Sequence, residues 1–89
     1  MVSNQDITKI IEIGKRFQVS KIILFGSNLD ARREGRDIDL AVAGVPADRF
    51  FEFYGELIFS LSKPVDLVDL SRESKFTKMI LVDGVSLYG

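Results

Sequence analysis

Residues 24–42 have the sequence LFGSNLDARREGRDIDLAV, and this stretch is the most informative part of the chain about its fold. An apolar run enters the small pair Gly26-Ser27, and nine residues then separate that pair from Asp37-Ile38-Asp39. Glycine lets a backbone come close to a ligand, and a serine hydroxyl with its neighbouring amides can donate hydrogen bonds to phosphate oxygens. The stretch therefore predicts a phosphate-binding turn followed by a pair of carboxylates.

The acidic pair opens an alternating segment that predicts a strand over residues 37–43. Its apolar side chains share one face, while Asp37 and Asp39 share the other. Two carboxylates only about 7 Å apart along a strand repel each other, so a fold without a nearby base would supply a cation. The alternative is a solvent-facing strand start at which Asp37 is only an end cap.

A third carboxylate lies in the apolar run of residues 65–70, VDLVDL, which predicts another strand. Asp66 is flanked by apolar residues, and a charge in such a place needs a partner or a metal. Asp69 follows three residues later, where the opposite sheet face or a helix cap is the expected role.

Together these features predict metal-assisted transfer from a nucleoside triphosphate. Magnesium prefers oxygen ligands and commonly takes one or two carboxylates together with substrate phosphates. We expect Asp37 and Asp39 to hold two Mg²⁺ ions and Gly26 and Ser27 to bind the phosphates. Two ions roughly 4 Å apart can bind the triphosphate and activate an attacking hydroxyl. Asp66 would complete the metal site beside that hydroxyl and could accept its proton.

The loop over residues 28–36 carries three arginines. Arg36 is expected to contact the triphosphate, because a planar guanidinium can make paired hydrogen bonds to phosphate oxygens. The same role is open to Arg32 and Arg33. The alternative is that all three are solvated surface charges.

The remaining pattern predicts an α/β (α+β) fold in one domain spanning residues 1–89. A capping box of Ser3 and Asp6 begins a first helix, and Ser71 is expected to cap the last one. The predicted helices cover residues 4–17, 47–62 and 71–82, and the further strands cover residues 21–25 and 85–88.

The second predicted helix has more aromatic residues than one buried stripe needs. The expected core stripe is Phe50, Tyr54, Leu57, Ile58 and Leu61. The residues left outside it are Phe51, Phe53 and Phe59. They indicate either an interaction surface or a broad, well-buried helix.

Composition excludes several classes of function. The chain has no cysteine and no histidine, which removes disulfide scaffolds, Cys/His zinc sites and Ser-His-Asp hydrolysis. A formal net charge of -1 argues against extensive nucleic-acid binding. No apolar run approaches the roughly 20 residues of a membrane span, and the N-terminus lacks a signal peptide, so the expected compartment is the cytoplasm. The small core makes a partner or a homo-oligomer plausible.

The ordered set Gly26-Ser27, Asp37-Ile38-Asp39 and Asp66, with the ending DGVSLY at residues 83–88, resembles the nucleotidyltransferase domain of the DNA polymerase β superfamily. The resemblance covers nearly the whole chain and is greatest to the minimal nucleotidyltransferases. It implies a mixed sheet with helices packed against it. It also implies magnesium-dependent transfer of a nucleoside monophosphate, usually AMP from ATP.

Many proteins of that family are antitoxins that adenylylate a helical partner of the HEPN ribonuclease type. The resemblance therefore implies a protein adenylyltransferase whose acceptor hydroxyl belongs to such a partner. A partner docked over the open site agrees with the surplus aromatic residues of the second helix. A second hypothesis is an antitoxin that neutralises a ribonuclease by occlusion. That hypothesis predicts that charged substitutions at Phe51 or Phe53 abolish protection. The last alternative is a small domain whose acidic residues are incidental.

Overall fold

The computed structural model describes residues 2–26 and 37–89. Within these ranges, one four-stranded sheet lies between helices on its two faces. The helices are α1 (Asn4–Arg16), α2 (Phe50–Ser60) and α3 (Lys75–Asp83), and a 3-10 turn, Ala47–Arg49, precedes α2. The strands are β1 (Lys21–Phe25), β2 (Ile38–Ala43), β3 (Val65–Asp69) and β4 (Val85–Tyr88). None of the helices described has the length and apolarity to cross a bilayer.

The sheet is mixed, as expected. Its strand order is β3-β2-β1-β4. β1 pairs antiparallel with both β2 and β4, while β2 and β3 are parallel. A parallel pair needs a crossover connection, and α2 provides it between β2 and β3.

Side-chain alternation along the strands builds two cores. The main core lies between the sheet and helices α1 and α2, and it includes Ile38, Leu40 and Val42 of β2. The smaller core lies on the opposite face, where Ile23 and Ala41 pack against Ile80 of α3. Successive residues of a strand point to opposite faces, so Asp39 lies on the α3 face of the sheet.

The start of α1 confirms one half of the expected capping box. The Ser3 hydroxyl accepts a hydrogen bond from the Asp6 amide at 3.1 Å. The Asp6 carboxylate does not return to Ser3. It accepts from the amide of Ser62 at 3.2 Å and from the Ser62 hydroxyl, and it is 2% exposed. Asp6 therefore joins the beginning of α1 to the segment that follows α2.

Replacing Asp6 with leucine is expected to destabilise the fold by about 1–3 kcal/mol. The substitution removes the acceptor and leaves the Ser62 amide and hydroxyl without their partner. Chemical denaturation measures the loss, and Asp48→Leu, at an exposed position, is the control. Equal stability of the Asp6 variant and the wild-type protein would contradict this role.

Two expectations about helix positions are wrong. The last helix begins after Ser74, which forms a capping box with Thr77. Ser71 lies four residues before the helix, in the turn that follows β3, where its amide donates to the Asp69 carboxylate at 2.9 Å. The other error concerns which side of α2 faces the core.

In α2, Phe53 is buried at 1% exposure and Ile58 is 55% exposed, the reverse of the expected pattern. The Phe53 ring packs edge to face against Phe17 with centroids 5.2 Å apart. On the same helix, the Tyr54 hydroxyl donates to the Val65 carbonyl at 2.7 Å. These contacts fix the rotation of the helix and turn Ile58 outward, together with Phe51 and Phe59.

Candidate active site

Asp39 and Asp66 form the centre of the candidate site. Parallel pairing of β2 with β3 places the two residues directly opposite each other in the register. Neighbouring strands lie roughly 4.8 Å apart, and paired residues point to the same face of a sheet. Asp39 is half-buried and Asp66 is exposed. The structure therefore brings together two of the three predicted carboxylates, on the α3 face.

The electrostatics at Asp39 show that the carboxylates interact. Burial raises the pKa of Asp39 above its usual value, and the negative charges of Asp66 and then Asp37 raise it further. In the ranges described, neither Asp39 nor Asp66 is in an ion pair. A cation placed between the two carboxylates would remove this repulsion.

Asp37 is exposed and immediately precedes β2, so the strand begins one residue later than expected. It contributes charge to the site through its effect on Asp39. Asp69 lies on the face opposite to Asp66, because it follows three residues later, and its carboxylate accepts the Ser71 amide. Of the two expectations for Asp69, the position on the opposite sheet face is confirmed, and the last helix is capped by Ser74 instead.

Gly26 borders the site, directly after the last residue of β1. Register pairs Phe25 with Asp39, so Gly26 lies beside the Asp39 carboxylate. Its φ of 77° is in the left-handed region that glycine tolerates. A Cβ atom at this position would overlap the carboxylate of Asp39. Glycine is therefore favoured here by the backbone conformation, and any side chain would have to displace the neighbouring carboxylate.

The expected contacts of Ser27, Arg32, Arg33 and Arg36 with phosphate fall outside the described residues. Their roles stay predictions.

A cavity beside Gly26 was not expected from the sequence. It has a volume of about 340 Å³ and lies between the end of β1 and α3. Phe25, Phe76 and Met79 make its lining largely apolar, and Asp83 adds a carboxylate. A larger groove of about 580 Å³ lies between α1 and α2, on the other face of the sheet and away from Asp39. The smaller cavity is the one that adjoins the candidate chemistry.

No short motif could have predicted this cavity, because it joins residues about fifty positions apart in the chain. The sequence did identify Phe76 and Met79 as apolar residues of the last helix. Their side chains are about half exposed, at 47% and 53%, while Ile80 alone of the three is buried.

The surplus aromatic residues of α2 do not lie over the site. α2 packs on the main-core face of the sheet, and the carboxylates lie on the α3 face. The expectation that these aromatic residues dock a partner over the open site is wrong, since the sheet separates the two surfaces. An acceptor would have to approach from the α3 side.

Gly26→Ala is expected to weaken magnesium-dependent nucleotide binding by at least tenfold and to destabilise the protein by about 1–2 kcal/mol. The new methyl group must displace the Asp39 carboxylate, and alanine is strained at positive φ. Calorimetric titration with a non-hydrolysable ATP analogue checks the first effect and thermal unfolding the second. Gly55→Ala is the control, since a Cβ there meets nothing within 4 Å. Unchanged affinity in Gly26→Ala would contradict the assignment.

Comparisons with known proteins agree with this geometry. The family model described as "Polymerase beta, Nucleotidyltransferase" matches residues 8–89. A search of curated proteins gave no match. Among solved structures, the fold is similar to a crystal structure of a toxin-antitoxin with AMP-PNP, with a TM-score of 0.74 and 29% identity over 93% of this chain and 73% of that one.

Two further solved structures point to the same group. A toxin-antitoxin MntA-HepT structure has a TM-score of 0.72 and 27% identity, covering 98% of this chain and 73% of that chain. A structure of a tri-AMPylated Shewanella oneidensis HEPN toxin in complex with MNT antitoxin has a TM-score of 0.70 and 29% identity, covering 94% and 70%. The sequence match and the fold together show that this chain belongs to the polymerase β nucleotidyltransferase family.

Proposed function

We propose that this protein is a magnesium-dependent adenylyltransferase that transfers AMP from ATP to a hydroxyl group of a helical HEPN-type partner, as the antitoxin of a toxin-antitoxin pair. The observation that carries the proposal is the pairing of Asp39 with Asp66 beside Gly26, on one sheet face. The similar structures support the substrate and the partner, because one is a toxin-antitoxin with AMP-PNP and another is a tri-AMPylated HEPN toxin in complex with MNT antitoxin.

The donor set fits magnesium. In the described part of the chain, no three acidic side chains converge as a ready ligand cluster. Magnesium does not require one, since it commonly binds one or two carboxylates and completes its shell with water and substrate phosphates. Asp39 and Asp66 would hold it, with Asp37 as a further ligand. Bound magnesium would neutralise charge on the triphosphate and lower the pKa of the acceptor hydroxyl.

The residues of the chain have separate roles in the transfer. The acceptor oxygen forms a bond to the α-phosphorus, and the bond from that phosphorus to the pyrophosphate oxygen breaks. Asp66, the more exposed carboxylate, would accept the proton that the hydroxyl loses. Gly26 leaves room for the Asp39 carboxylate at the end of β1, and its backbone amide would donate to the triphosphate. Ser27 and Arg36 would bind its phosphate oxygens.

Asp66→Asn and Asp69→Asn give a matched test, because both substitutions are on β3 and remove one charge. Asparagine at position 69 keeps an oxygen that can accept from the Ser71 amide. With labelled ATP, magnesium and a purified HEPN-type partner, Asp66→Asn is expected to lower the rate of labelling at least 100-fold, and Asp69→Asn less than twofold. Equal rates in the two variants would reject the proposal.

A second candidate is the occlusion antitoxin, which would neutralise its partner by binding alone. The observation that favours it is the exposure of Phe51 and Phe59. It predicts that Asp66→Asn still protects cells from the toxin, and that Phe51→Glu does not. Phe53 does not belong in this test, because it is a core residue whose charged substitution would unfold the protein. Loss of protection in Asp66→Asn, with binding retained, would exclude occlusion.

A further inference from the structure

The side of α2 that faces away from the sheet is apolar. Phe51 is 84% exposed, Phe59 is 91% exposed and Ile58 is 55% exposed. Phe51, Gly55 and Phe59 lie on successive turns of one row, and Ile58 lies beside them, since residues four or three apart share a helix face. We call these four residues the outer face of α2. Large contiguous apolar patches of this kind mark interaction sites.

Gly55 lies in the middle of this row and has no role inside the described chain. Glycine is unfavourable in a helix interior, and a Cβ atom at position 55 would meet nothing within 4 Å. The helix also lacks a side-chain hydrogen bond at its N-terminal cap. A glycine between two exposed phenylalanines does allow the backbone of another helix to come close, because interaxial distance depends on side-chain size at the crossing point.

The spacing of the row is symmetric about Gly55. Phe51 precedes the glycine by four residues, and Phe59 follows it by four. A two-fold contact uses the same patch on both subunits, so that residue i contacts j and j contacts i. If two α2 helices cross antiparallel at Gly55, Phe51 of each copy faces Phe59 of the other. The row therefore has the pattern of a self-complementary surface.

Flanking charges oppose this arrangement only weakly. Two-fold pairing would bring Glu52 and Glu56 of both copies to the same edge of the contact. Each glutamate already has an arginine partner in its own chain. Glu52 pairs with Arg49 at 3.3 Å, and Glu56 pairs with Arg16 at 3.2 Å. These ion pairs reduce the repulsion between the copies.

The available area suits a modest dimer. A buried aromatic side chain contributes roughly 150–250 Å², so the two phenylalanines and Ile58 would bury about 450 Å² per copy. The two copies together approach the threshold of about 1,000 Å² for a specific interface before the polar rim is counted. We propose that the outer face of α2 pairs two copies of this chain through an antiparallel α2–α2 contact. Both carboxylate sites stay accessible, because they lie on the opposite face of the sheet.

Sedimentation velocity from low to high micromolar concentration tests the proposal. The wild-type chain is expected to form a concentration-dependent dimer. Phe51→Glu and Phe59→Glu should each weaken it at least tenfold. Gly55→Leu should also weaken the dimer, although it adds apolar surface. Non-specific apolar association would instead become stronger, so this variant distinguishes it from a close crossing of two helices. Phe76→Glu, an exposed substitution on α3, should leave the dimer unchanged. Circular dichroism verifies that each variant is folded.

A cysteine variant gives an independent measurement. The chain contains no cysteine, so Gly55→Cys introduces a single thiol at the proposed two-fold axis. Under mild oxidation it should form disulfide-linked dimer faster than Lys78→Cys on α3. A wild-type chain that stays monomeric overturns the proposal. This holds even if Phe51→Glu weakens the binding of a different protein, because the outer face of α2 would then bind that protein and not a second copy. A dimer that survives both glutamate substitutions also overturns it.

Discussion

Asp39→Asn is expected to stabilise the metal-free protein while abolishing magnesium-dependent nucleotide binding. Burial and the charges of Asp66 and Asp37 raise the pKa of Asp39, which means that folding favours its neutral form. At neutral pH the ionised carboxylate therefore costs folding free energy. Asparagine removes that cost. We expect a small gain in the free energy of unfolding, because solvent screens the charges around the half-buried side chain.

The pH dependence follows from the direction of the shift. Well below pH 3.8, the ordinary pKa of an aspartate side chain, Asp39 is protonated in both the folded and the unfolded state, and the variant has no advantage. As pH rises through 3.8, the unfolded state ionises first, and the wild-type protein loses stability until the folded carboxylate has also ionised. The advantage of Asp39→Asn should then stay constant towards neutral pH.

Thermal unfolding between pH 3 and pH 7 without metal checks the gain, which should appear as a higher melting temperature of the variant above pH 3.8. Magnesium with a non-hydrolysable ATP analogue should then raise the melting temperature of the wild-type protein and leave that of Asp39→Asn unchanged. Asp69→Asn is the control and should respond to the ligand like the wild type. A variant less stable than the wild type at neutral pH, or one that still binds the analogue, would refute the assignment of Asp39.

Phe53→Ala is expected to cost about 3–5 kcal/mol of folding free energy, more than any of the other substitutions should cost. The Phe53 ring is 1% exposed and packs against Phe17 at the contact between α1 and α2. Its removal leaves a cavity that the surrounding helices can fill only in part. Since stabilities of about 0.05–0.15 kcal/mol per residue are usual, this variant should lose a large fraction of its folded population.

Phe51→Ala is the matched control, because it removes the same ring from the same helix at a position that is 84% exposed. It should change the unfolding free energy by less than about 0.5 kcal/mol. Urea denaturation of both variants, at low micromolar concentration to avoid pairing of copies, measures the difference. Similar losses in the two variants would show that the rotation of α2 differs from the one described.

Much of the local structure could be predicted because it depends on local rules. The first helix, expected over residues 4–17, extends over Asn4–Arg16, and the alternation in residues 37–43 became β2. Local rules failed where two neighbouring serines could each cap the last helix. Ser74 caps it because it forms a reciprocal capping box with Thr77, while Ser71 lies in the turn after β3.

The sequence by itself determined the chemistry available to this protein. It supplies carboxylates at positions 37, 39 and 66 and a glycine before the loop, and it excludes thiol and imidazole groups. It also limited β2 to one acidic and one apolar face, because side chains alternate along any strand.

Only the tertiary structure decided which of these groups meet and which surfaces stay free. Asp39 lies opposite Asp66 because α2 returns the chain to a parallel pairing in one particular register. The rotation of α2 buries Phe53 and exposes Phe51, Ile58 and Phe59. Because α2 covers the main-core face of the sheet, the sheet lies between these exposed residues and the carboxylates. These outcomes depend on contacts between residues far apart in the chain, such as Phe17 with Phe53, so no pattern within one segment could determine them.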